Sequence, residues 1–66
     1  MSIYEFIKKY PEKRERDFFL IQELSGSYNK KLRQGIILEL TGKKYPVANC
    51  GINFLLECVE EYLKSK

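Results

Sequence analysis

The chain has no histidine, no tryptophan, only two cysteines and two prolines, and no long apolar run. Each shortage excludes something. Without histidine the commonest general base and the commonest metal ligand are both missing. Two thiolates fall short of the four ligands that a structural zinc takes, so neither a metal nor a cofactor is expected. No phosphate-binding loop, nucleophile elbow or metal motif occurs, and the chain reads as a non-enzyme. No stretch approaches the roughly 18 apolar residues of a membrane span, and the start of the chain lacks the basic and apolar segments of a signal peptide. A cytoplasmic location without membrane association is therefore expected, and free thiols suit such a reducing compartment. A strong excess of one charge is lacking too. Twelve Lys and Arg against nine Asp and Glu leave +3, short of what a dedicated nucleic-acid binder carries.

What is present is helical periodicity in a short chain. Sixty-six residues predict one domain, 1–66, and at this size only about 60% of the unfolded surface can be buried. Five tyrosines and four phenylalanines are many for that length, and large rings fill a small core efficiently. The clearest pattern lies in residues 46–64. At about 100° per residue Ile52, Leu55, Leu56, Val59, Tyr62 and Leu63 fall together, flanked by Phe54 and Cys58. Asn53, Glu57, Glu60, Glu61 and Lys64 gather opposite, and Pro46 suits a first helical position. The apolar arc spans roughly 200°, about twice what one neighbour covers, so this helix must be wrapped from several sides or by a second chain. On one continuous helix Cys50 and Cys58 would stand about 12 Å apart, beyond a disulfide.

Upstream, Ser2 and Glu5 fit a capping box, Ile3, Phe6, Ile7 and Tyr10 repeat at helical spacing, and Pro11 discourages helix before it. A helix over 2–10 follows. Residues 11–17, PEKRERD, form a linker or the solvated start of the next helix. That helix is predicted over 17–25, with Asp17 as N-cap, Phe18, Leu20, Ile21 and Leu24 on one face, Phe19 off it and Gly26 as the stop. Residues 29–41 read as a helix in which Leu32, Ile36 and Leu40 recur with Ile37 beside them, capped by Ser27 or Asn29 and ended by Gly42. The alternative is a hairpin over 36–47 turning at Gly42 and Lys43 and packed on the last helix, an α+β arrangement. Pro46 would confine that hairpin to a sheet edge, and two strands alone are marginal. The expected fold is an all-α bundle of three to four helices.

Two basic clusters stand where helix N-termini disfavour them. Glu12, Glu15 and Asp17 compensate Lys13, Arg14 and Arg16, whereas Lys30, Lys31 and Arg33 have no acid before Glu39. Tyr28, Asn29, Lys30, Lys31, Arg33 and Gln34 could thus face nucleic acid or an acidic partner at the front of a helix-turn-helix recognition helix. Gln22, Ser25 and a long turn fit that motif poorly. The acidic pairs of the last helix read as a solvated face. The favoured expectation is a small regulator, inhibitor or adaptor that occupies a protein partner's surface, itself able to form a homodimer through its last helix. Phe19, Leu38, Phe54 and Tyr62 are its candidate contacts, since aromatic anchors dominate such interfaces.

Overall fold

A computed structural model describes residues 2–65 as four α-helices joined by short turns: α1 (Ile3–Lys9), α2 (Lys13–Leu24), α3 (Lys30–Thr41) and α4 (Ile52–Lys64). No strand occurs among the described residues. The hairpin alternative over 36–47 is thereby corrected: helix continues to Thr41, and Gly42, in the left-handed region at φ +74°, ends it. Thr41 reinforces that end, its hydroxyl donating to the Ile37 carbonyl at 2.8 Å and accepting from the Lys43 N–H at 3.1 Å.

α1 begins as its sequence predicts, Ser2 Oγ accepting from the Glu5 N–H at 3.2 Å. It ends at Tyr10, before Pro11. α2 starts earlier than predicted. Glu12 caps it, its carboxylate accepting from the N–H groups of Arg14 and Glu15, both at 3.0 Å, where the partial positive charge of a helix start favours an anion. Asp17, one turn further on, binds Lys13 Nζ at 2.9 Å instead of capping.

The inward face of α2 is also redrawn. Arg16, Leu20 and Leu24 follow at intervals of four and turn towards the core, while Phe18 and Ile21 are exposed and Phe19 is half-buried. On α3 the fully buried residue is Ile37, with Ile36 and Leu40 half-buried and Leu32 54% exposed.

The predicted single helix over 46–64 divides. A 3-10 turn, Val47–Asn49, precedes Cys50 and an extended Gly51, and α4 begins only at Ile52. A continuous helix would use the Cys50 carbonyl internally; instead it accepts from Arg33 Nε at 2.7 Å. Both cysteines are free and buried.

The wide apolar arc of α4 is covered from within the chain. Val59 joins Ile3, Ile7 and Leu20 in one buried cluster, and Leu55 and Cys58 join Ile37 and Cys50 in another. Leu24, Ile36 and Leu40 pack against both clusters and connect them. No helix of the described residues is long and apolar enough to cross a membrane.

Candidate functional site

The polar residues at the front of α3 divide into two groups. Arg33 is 4% exposed, and its guanidinium donates to the carbonyls of Leu24, Gly26 and Cys50. It thereby caps the C-terminus of α2, whose last carbonyls lack partners within the helix and favour a cation. Gly26 turns its carbonyl into this site at φ +99° and ψ 159°, a region open essentially to glycine alone. Asn29 serves the same junction, its amide donating to the Glu23 and Ser25 carbonyls at 3.3 and 3.0 Å. Gln34 donates to the Tyr45 carbonyl at 2.7 Å and anchors the segment after α3. Tyr28, Lys30 and Lys31 remain exposed, Tyr28 completely.

Arg16, 3% exposed, is a second buried cation. Its Nη2 lies 2.8 Å from Glu60 Oε1 and its Nε 3.4 Å from Asp17 Oδ1, the latter without hydrogen-bond alignment. Lys13 closes the cluster, 2.9 Å from Asp17 and 3.3 Å from Glu60, and these two carboxylates hold its ammonium above its ordinary pKa, Asp17 contributing first. Glu60 is thus part of an ion-pair network, while Glu57 and Glu61 stay exposed.

The expected partner anchors also differ among themselves. Phe54 packs edge-on against Tyr45 with centroids 4.9 Å apart, and Tyr62 against Tyr4 at 5.4 Å. Both are half-buried in intramolecular pairs. Leu38 is 40% exposed on the outside of α3. Phe19 lines a groove of 740 Å³ walled by three helical segments. Ile3, Phe6 and Tyr10 form one wall, Phe19, Leu20 and Leu24 the floor, and Leu32, Gly35 and Ile36 the other wall; Lys9, Glu23, Lys31 and Glu39 mark the rim. Four rings run out of this groove in sequence, Phe6 to Tyr10 at 4.9 Å, Tyr10 to Phe19 at 4.7 Å and Phe19 to Phe18 at 5.5 Å, and Phe18 is 63% exposed.

Phe6, Tyr10 and Leu32 were placed in the core by sequence periodicity, so the groove as a whole was missed. Gly35 was the available signal. It sits mid-helix at a cost of about 1 kcal/mol relative to alanine, and apart from its chain neighbours and the adjoining helix backbone no atom lies within 4 Å of where its side chain would be.

A second cavity, of 600 Å³, lies between Thr41, Tyr45, Phe54 and Cys58 and the charged groups of Lys13, Glu57, Glu60, Glu61 and Lys64. Burial first, and then Glu57 and Cys50, push the Cys58 thiol above its ordinary pKa of 9.0. The unfolded thiol therefore ionises first, so the contribution of Cys58 to stability is complete below pH 9.0 and declines as pH rises through the folded value. Melting temperature is expected to fall between about pH 8 and about pH 10 by more in the native protein than in Cys58→Ala. Equal falls in the two proteins would contradict this. No group of three or more His, Cys, Asp or Glu side chains suited to a metal ion occurs among the described residues.

Compared with known family models, curated proteins and solved structures, the chain matches none of them.

Proposed function

We propose that this protein is a small, non-enzymatic regulator, inhibitor or adaptor that acts by binding a protein surface through the groove between α1, α2 and α3. The observation that carries this reading is the apolar lining of that groove, continuous with the exposed side chains of Phe18 and Leu32. Phe6, Tyr10 and Phe19 present rings that fill pockets well and lose little entropy on contact. The mixed charges of the rim supply the polar border that such interfaces carry.

Nucleic-acid binding is less favoured. Of the six residues proposed for it, Asn29, Arg33 and Gln34 are engaged in bonds to backbone carbonyls, which leaves Tyr28, Lys30 and Lys31.

A photoreactive amino acid placed at Leu32 is expected to give protein adducts in cells, whereas the same group at exposed Lys44, outside the groove, gives none. Absence of adducts at Leu32, or equal labelling at both positions, would overturn the reading. Retention of salt-sensitive duplex DNA by the native protein, lost on replacing Lys30 and Lys31 with alanine, would favour the nucleic-acid reading instead.

A further inference from the structure

We draw no further inference here: the strongest candidate, the apolar groove between α1, α2 and α3 with its continuation along the outer face of α3, belongs to the site already described, and nothing in the structure shows what covers it.

Discussion

Replacing Arg33 with methionine is expected to lower the stability of the protein by about 3 to 5 kcal/mol. A chain of 66 residues has a total stability of about 3 to 10 kcal/mol. Methionine avoids the desolvation of a guanidinium, which by itself would favour the variant. The three acceptors, however, are backbone carbonyls of Leu24, Gly26 and Cys50, and no side-chain substitution removes them. Each loses a charge-assisted donor, and the Cys50 carbonyl loses it in a buried site. After allowing for water at the Leu24 and Gly26 carbonyls, a loss of about 3 to 5 kcal/mol follows. Arg33→Lys keeps the charge but lacks the fork that reaches three carbonyls, and should fall between the two. Urea denaturation followed by circular dichroism measures all three proteins. A methionine variant within about 1 kcal/mol of the native protein would show that the junction is held by other contacts.

Ile37→Ala is expected to cost about 3 kcal/mol, whereas Leu32→Ala and Leu38→Ala should each cost under about 1 kcal/mol. The contrast follows from burial. Ile37 is completely enclosed between Cys50, Leu55 and Cys58, so its removal leaves a cavity that the surrounding helices cannot fill. Leu32 and Leu38 have solvent on one side already. The same denaturation measurement decides the orientation of α3, on which the groove depends. Comparable losses at Ile37 and Leu32 would mean that Leu32 is a core residue and would remove one wall of the groove.

Basic charge at the front of α3 was an ambiguous signal for a similar reason, burial. Lys30, Lys31 and Arg33 lie within four positions but occupy different environments. Arg33 turns inward to the end of α2, and Lys30 and Lys31 turn outward. A cation that caps a neighbouring helix and a cation that meets a ligand look alike in sequence. Arg16 presents the same difficulty, since it lies in a stretch with no apolar residue yet is as buried as Leu20.

Much of the candidate site was legible residue by residue but not as a site. Phe19 stood out because it left the stripe expected for its helix, and it does meet a second surface, the groove. Phe18, assigned to the inward stripe, is the exposed one of the pair. The reversal arises because the inward row of α2 is defined by Arg16, Leu20 and Leu24, and a periodicity argument that counts only apolar residues omits its first member. Phe54 and Tyr62 were noted for their position at the edges of a wide arc, but their partners, Tyr45 and Tyr4, come from other segments.

The sequence by itself favoured the all-α architecture over the 36–47 hairpin, and determined the presence of a helix over most of the other predicted spans, the stop at Pro11 and the central place of the last helix. These are local properties, set by the spacing of apolar residues and by backbone preferences within a few positions. Only the tertiary structure decided which face of α2 and α3 turns inward, why the last helix begins at Ile52, and which cations are structural. Arg33 reaches Cys50 across 17 positions and Arg16 reaches Glu60 across 44. A buried charge is tolerable only where such distant acceptors converge on it, and that convergence exists only once the helices have packed.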